Sequence, residues 1–224
     1  MITLESHLKR GAEALGLTLT GLQSDSFAIF AAELCKWNRK INLTSIILPE
    51  EIAIKHFIDS LALGMYVDMT GELLDIGSGG GFPSIPIKIV FPDIGIVSVD
   101  AVEKKILFQR HVARLLGFKR FSALHCRVEN LPAQYKGAFD CIVSRAFSEI
   151  TGFAKLALPL LAKDGVIVAM KGKDGKKEAE ESAEELTRIG AVVSAVHEFQ
   201  LPLLKDARSL VIIKRKLSEN AFHQ

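Results

Sequence analysis

Cysteine is scarce: the 224 residues hold three, Cys35, Cys126 and Cys141, with no C-x-x-C pair and no histidine nearby at ligand spacing. An odd, scattered set excludes a disulfide framework and argues against a zinc site. Long apolar runs are also missing. The least interrupted window, Gly81 to Val99, contains three prolines, Lys88 and Asp93, so no segment offers the roughly 20 apolar residues of a membrane span. The amino terminus, "MITLESHLKR", puts acid and base where a signal peptide needs an apolar core. Neither sign of charge dominates, with 28 Lys/Arg against 26 Asp/Glu and a net charge of +2. Dedicated nucleic-acid modules are usually more basic, so a polyanionic partner is allowed but not announced. Residues 1–70 carry six basic and eight acidic side chains, which places the slight positive excess downstream. These absences lead to the expectation of a soluble cytoplasmic protein, taken to be a monomer.

A hydrophobic fraction of 49% and a charged fraction of 24% are those of a chain that folds around its own core. From Glu72 onward, the runs "ELLDIG", "GIVSVD", "FSALHC", "AFDCIVSR" and "GVIVAMK" alternate with the helical stretches "SIPIKIVF", "EKKILFQRHVARLLG" and "SEITGFAKLALPLLAKDG". Short apolar runs separated by helices predict a parallel sheet covered on both faces. "AVVSAVHEF" and "SLVIIKRK" are separated only by "QLPLLKDAR", too short for a helical crossover, so the chain should end in an antiparallel pair. The expected fold is α/β and Rossmann-like: the class I S-adenosylmethionine-dependent methyltransferase outline, a mostly parallel seven-stranded sheet with an antiparallel last strand. Residues 71–224 would form this domain. Residues 1–70 would form a helical extension, since "SDSFAIFAAELCKWNRKI" and "PEEIAIKHFIDSLALGMY" both repeat apolar residues at helical spacing. "KGKDGKKEAEESAEE" continues into "LTRIG" and reads as a solvated helix face.

The stretch "LLDIGSGGGFPSIPIKI" follows the first strand. A dinucleotide-binding turn wants G-x-G-x-x-G, its third glycine allowing close helix–strand packing; here Gly77 and Gly79 fit, and Phe82 occupies the third place. Asp75 adds a carboxylate at the strand's end that would repel a pyrophosphate and suits a cationic ligand such as S-adenosylmethionine. Asp100, ending the second strand, can accept ribose hydroxyls of either cofactor. The lesser alternative is that the glycines make only a tight turn, with Asp75 capping the next helix.

After the fourth strand comes Ser144-Arg145-Ala146-Phe147. The Asp/Asn-Pro-Pro-aromatic cluster for methylating exocyclic amines is missing, as is a Pro-Cys nucleophile, and Cys141 inside the strand reads as core. An acceptor with a free lone pair, such as guanine N7, needs neither. Arg145 could hold guanine O6 or a phosphate, or merely pair with a neighbouring carboxylate. Trp37, Asn38, Asn42 and Thr44 read as capping and packing groups at a helix end, with direct RNA contact as the alternative, and His56 with Asp59 as an ordinary side-chain contact one turn apart, ahead of an acid–base pair.

Together "KWNRKINLTS", "KHFIDSL", "LLDIGSGGGFPSIPIKI", "CRVENL", "SRAF" and "ARSLVIIK" resemble, in order and over almost the whole chain, the bacterial RsmG family (formerly glucose-inhibited division protein B), small-subunit ribosomal RNA guanine-N7 methyltransferases. The resemblance implies S-adenosylmethionine as cofactor and 16S ribosomal RNA or the small subunit as partner. It implies cofactor contacts from Gly77, Phe82, Asp100, Val128 and Glu129, beside Asp75 and Gly79 from the loop, with Arg145 next to both cofactor and acceptor. Arg127, Lys171 and Arg208 would line the RNA-facing side. Phe82 departs from the leucine common there, and "DARSL" from an acid directly before the arginine. A nucleotide-sensing protein without catalysis and an NAD-linked oxidoreductase are the competing readings.

Overall fold

The structure, a computed structural model, describes residues 3–145 and 147–216. The chain begins with α1 (Leu4–Ala14) and α2 (Gly21–Asn38), each opened by a capping box, Thr3 with Ser6 and Thr20 with Gln23. A third helix starts at α3 (Pro49–Glu51), widens to a π-helix over Ile52–Ile58, returns to α geometry in α4 (Asp59–Leu61) and tightens to a 3-10 turn over Ala62–Met65. Pro49 at its first turn and the acids Glu50 and Glu51 suit its positive end.

The sheet follows. β1 (Glu72–Ile76), β2 (Gly95–Asp100), β3 (Phe121–His125), β4 (Phe139–Ser144) and β5 (Leu161–Lys171) run parallel, while β7 (Ala207–Arg215) lies antiparallel between β5 and β6 (Ala191–Gln200). The seven strands are ordered β3-β2-β1-β4-β5-β7-β6. α5 (Ser84–Val90), α6 (Glu103–Leu115), α7 (Ile150–Ala157) and α8 (Gly175–Arg188) are the helical connections, and two 3-10 turns link β3 to β4. Strand order reverses at β1 and β4, so the chain leaving their carboxyl ends diverges and opens a crevice there.

Leu73 and Leu74 are both fully buried yet belong to different clusters, which is why the strands read as continuous apolar runs. One expected boundary moves. Helix was expected from Ser148 to Gly165, but α7 stops at Ala157 and β5 begins at Leu161. Pro159, without an N–H and with a ring that blocks the preceding turn, ends the helix.

The helices before β1 pack onto the sheet layer through aromatic rings. Phe30 of α2 lies 5.3 Å from Phe57 in the π-helix, 5.3 Å from Phe82 and 6.1 Å from Phe108 of α6, all buried in one cluster with Ile85 and Ile89. A Phe30→Ala variant should lose about 3–5 kcal/mol of stability, the usual cost of deleting a buried ring. Urea denaturation followed by both fluorescence and far-ultraviolet circular dichroism checks this.

Candidate active site

Between β1 and α5 the chain turns through Gly77, Gly79 and Gly81, all with positive φ. A Cβ on Gly81 would meet the Ile85 side chain at 2.4 Å. The close approach of loop to helix that a dinucleotide fingerprint assigns to its third glycine is made here one residue earlier, leaving Phe82 to face the aromatic cluster. The run of three glycines carried this signal, and the template hid it.

The loop rests on a buried polar network. Gln109 of α6, fully buried, donates to Ser78 Oγ and to the Gly79 carbonyl at 2.8 Å each and accepts from Ser98 Oγ at 2.6 Å. Ser84 Oγ lies 3.3 Å from Ser98 Oγ, and Ser84 gives both its N–H (3.2 Å) and its hydroxyl to Asp75 Oδ2. Asp75, expected among the contacts to a cationic cofactor, sits beneath the loop and caps α5. Its other oxygen has no partner among the described residues, and burial pushes its carboxyl up to about 7.

Above the loop opens a cleft of about 310 Å³ lined by Gly77, Asp100, Arg127, Val128, Glu129 and Phe147, among others. Asp100 accepts from Gly79 N–H at 2.9 Å and Val102 N–H at 2.8 Å. A carboxylate has about four lone-pair sites, so two stay available for a diol. The N–H groups of Val128 and Glu129 open a 3-10 turn and have no acceptor within it. A diol acceptor, free backbone donors and apolar walls in a volume of this size fit an adenosine group. Gly79 offers open space at its Cα. Phe82 does not line the cleft; it stacks on His56, centroids 4.2 Å apart.

A second cleft, about 220 Å³, lies where β4, β5 and β7 meet and is lined by Asp59, Arg145, Lys171, Phe199 and Arg208, among others. Pairing of Lys171 with Ser209 sets Arg208 at the carboxyl end of β5. Asp59, 3% exposed, holds both arginines: Oδ2 is 2.9 Å from Arg145 Nη2 and Oδ1 is 3.1 Å from Arg208 Nε. Arg145 also donates to the Lys55 carbonyl at 3.1 Å. Ala146, next in the motif, lies outside the described residues.

Three expectations change. Asp59 contacts the arginines, and His56 turns the other way to meet Thr44 Oγ1 at 2.8 Å, so the two do not pair. The wider π turn between them separates their directions. Lys171 is expected to face RNA, yet its side chain is 8% exposed and its ammonium binds the Phe147 and Ser148 carbonyls and Glu178. Arg208 takes its orientation from Asp59, with Asp206 farther off at 3.8 Å. Asn38 fastens the loop after α2 to the helix end, holding the Leu43 and Thr44 N–H groups and the Thr44 carbonyl. Sequence reading missed Gln109 and the role of Asp59; the signals were a lone glutamine on an apolar helix face and an acid inside the apolar run "HFIDSLAL".

Cys141 is buried and its thiol is pushed up to about 12, which removes it as a nucleophile. Among the described residues no cluster of His, Cys, Asp or Glu could hold a metal, and no helix is long and apolar enough to cross a membrane.

Two buried groups set opposite pH dependences. Burial, helped by Arg145, depresses His56 from 6.5 to about 3, so between those values the unfolded chain binds a proton that the native state does not. Stability from this group falls as pH falls. Asp75, raised from 3.8 to about 7, binds its proton in the native state first, and its contribution rises over nearly the same window. Their effects offset in the wild type. Asp75→Asn should expose the histidine, with stability dropping toward acid between pH 6.5 and 4 by up to about 1.4 kcal/mol per pH unit relative to wild type. Urea midpoints across that range measure it.

The family model described as "GidB: rRNA small subunit methyltransferase G" matches residues 23–211. The chain is 56% identical over 209 residues to ribosomal RNA small subunit methyltransferase G of Geobacter metallireducens, covering 93% of this chain and 95% of that protein. The protein of the same name from Oceanobacillus iheyensis is 38% identical over 205 residues, covering 90% and 86%. Among solved structures, a SAM-dependent methyltransferase from Aquifex aeolicus superposes with a TM-score of 0.60 at 15% identity, over 77% of this chain and 96% of that one, a likeness of fold. With matches of this extent and identity, the chain belongs to the GidB family, rRNA small subunit methyltransferase G.

Proposed function

We propose that this protein, a monomer of the cytoplasm, transfers a methyl group from S-adenosylmethionine to N7 of one guanine in 16S ribosomal RNA. The observation that carries the reading is the pair of clefts at the carboxyl ends of the strands, one on either side of the switch in strand order: one with a diol acceptor and, among the described residues, backbone N–H groups that have no acceptor, the other with two guanidiniums oriented by Asp59. Family membership supplies the ribosomal RNA.

S-adenosylmethionine, bound, supplies an electrophilic methyl group on a sulfonium, and attack by the N7 lone pair leaves a neutral thioether with no proton to remove. The chain then has to place and orient. Asp100 would hold the ribose, and Val128 and Glu129 the adenine edge. Arg145 would direct its planar fork at guanine O6 or a phosphate. Alignment alone can supply on the order of 7–11 kcal/mol in the best cases. His56, held neutral by burial, adds no cation beside the loop.

Labelled S-adenosylmethionine incubated with small subunits from a strain lacking the enzyme should mark one guanine, read by mapping the modified nucleotide; label confined to protein or small molecules would sink the proposal. Binding of S-adenosylhomocysteine but no turnover would favour the sensor, and protection by NAD the oxidoreductase.

Asp100→Ala should weaken cofactor binding by about 10- to 100-fold, the loss of one or two charge-assisted hydrogen bonds. Arg145→Ala should lower kcat by about 100-fold or more while changing cofactor affinity far less. Asp59→Asn, acting through Arg145, should follow the Arg145 pattern at smaller size. Calorimetry beside steady-state kinetics separates the two effects, and equal loss of affinity and turnover in Arg145→Ala would reduce that residue to holding cofactor.

A further inference from the structure

The hairpin that joins β6 to β7 carries an oddity that the two clefts do not use. Its loop, Leu201 to Asp206, contains neither glycine nor asparagine, yet Leu203 and Lys205 adopt φ of +71° and +58°, a region where bulky residues are outliers. Strain of that kind persists where the surroundings over-determine it, and it gathers at working sites. Here the base of the loop is fixed. Leu201 is fully buried among the amino-terminal helices, Leu201 N–H donates to the Asp206 carbonyl, and Lys205 N–H donates to the Leu201 carbonyl, both at 2.9 Å. The strained backbone turns Leu203 and Leu204 outward, 39% and 40% exposed. A turn needed only for connection would take glycine at these positions and keep its leucines inside.

Position suggests the use. Arg208 lies two residues beyond the loop and lines the arginine cleft, so the tip stands at the rim of that cleft. Lys205 is exposed on the tip itself, and Lys55 lies close enough to feel both Asp206 and Arg208. Acids share this flank, with Glu51 paired to Lys55, Asp59 to Arg208 and Asp206 near Arg208, and the exposed Lys205 ammonium beside the apolar tip is the cation placed to meet a phosphate backbone.

We propose that Leu203 and Leu204 form an apolar wedge that inserts beside the target guanine and holds it out of its stack. This rests on the methyltransferase reading above. The major groove of an A-form RNA helix is too deep and narrow for side chains to read, and a stacked guanine brings N7 to a buried donor by leaving its stack. Proteins that unstack bases do so with leucine, isoleucine or phenylalanine set between base steps. A preformed, anchored tip serves because its own ordering is complete before binding.

The test uses the full-length enzyme and small subunits lacking the modification. The double variant Leu203→Asn, Leu204→Ser keeps a residue that tolerates positive φ and removes the apolar surface; Leu204→Met keeps it apolar. The polar variant should retain the wild-type melting temperature and S-adenosylhomocysteine affinity but lose about 10-fold or more in kcat/KM on subunits, with Leu204→Met near wild type. Dimethyl sulfate probing of complexes with S-adenosylhomocysteine-loaded enzyme should show increased reactivity at bases next to the target for wild type and none for the polar variant. Full activity of the polar variant, or the same reactivity with it, overturns the wedge alone. Activity lost on subunits but intact on protein-free 16S RNA places the tip against a ribosomal protein and also overturns it. Wild-type enzyme that marks no guanine overturns the methyltransferase reading and the wedge together.

Discussion

Asp59 holds two guanidiniums from two different strand ends, and the arginine cleft takes its shape from that contact. Arg145 follows β4 and Arg208 begins β7, so nothing in the sheet ladder alone fixes where their forks point. The carboxylate comes from the helical layer, just past the π segment. A π turn adds a residue per turn and changes the direction of everything after it; here it lets His56 face the glycine loop while Asp59 faces the arginines. Breaking a buried ion pair leaves an uncompensated charge and is far costlier than losing a surface one. The helical layer is thereby tied to the cleft electrostatically as well as through the rings around Phe30.

The adenosine-sized cleft depends on a different kind of support. Gln109, Ser78 and Ser98 form one buried hydrogen-bonded group under the glycine loop and Ser84 with Asp75 a second, the two meeting where Ser84 Oγ lies 3.3 Å from Ser98 Oγ. Buried polar groups are worth keeping only when nearly all their partners are present. Here one Asp75 oxygen is left over among the described residues, and its raised pKa records the cost of burial. With the loop held from below, the Gly79 N–H is presented to Asp100 and the carboxylate is aimed before any ligand arrives. Preorganisation of this type shifts the ordering cost from binding to folding.

The strand rhythm, the antiparallel end and the helical layer before β1 were legible because period and length are local properties of the sequence. The cleft residues Gly77, Asp100, Val128 and Glu129 were legible because topology fixes where strand ends lie and the motifs add the rest. What could not be read was partnership across the fold. Asp75 looked like a ligand group because its strand position was clear and Ser84's hydroxyl was not. Lys171 looked exposed because a lysine at a strand end usually is, and the two carbonyls that capture it come from a loop with no marked pattern. The same holds for Asp59, 149 residues away from Arg208 in sequence.

The charge balance of the arginine cleft also bears on why an acid belongs there. In the proposed transfer, positive charge leaves the sulfonium and appears on the guanine ring. Guanidiniums that hold O6 or a phosphate give useful hydrogen bonds, but two unopposed cations would repel the ring as it becomes cationic, and between partly buried groups that repulsion is larger than in bulk water. Asp59 cancels part of this charge without occupying every donor, because each guanidinium has five N–H groups and the carboxylate takes only some of them. Lys171 is likewise matched by Glu178. The cleft therefore keeps the directional donors of two arginines while presenting a smaller net charge than their number implies, which is the electrostatic setting that a charge-shifting methyl transfer requires.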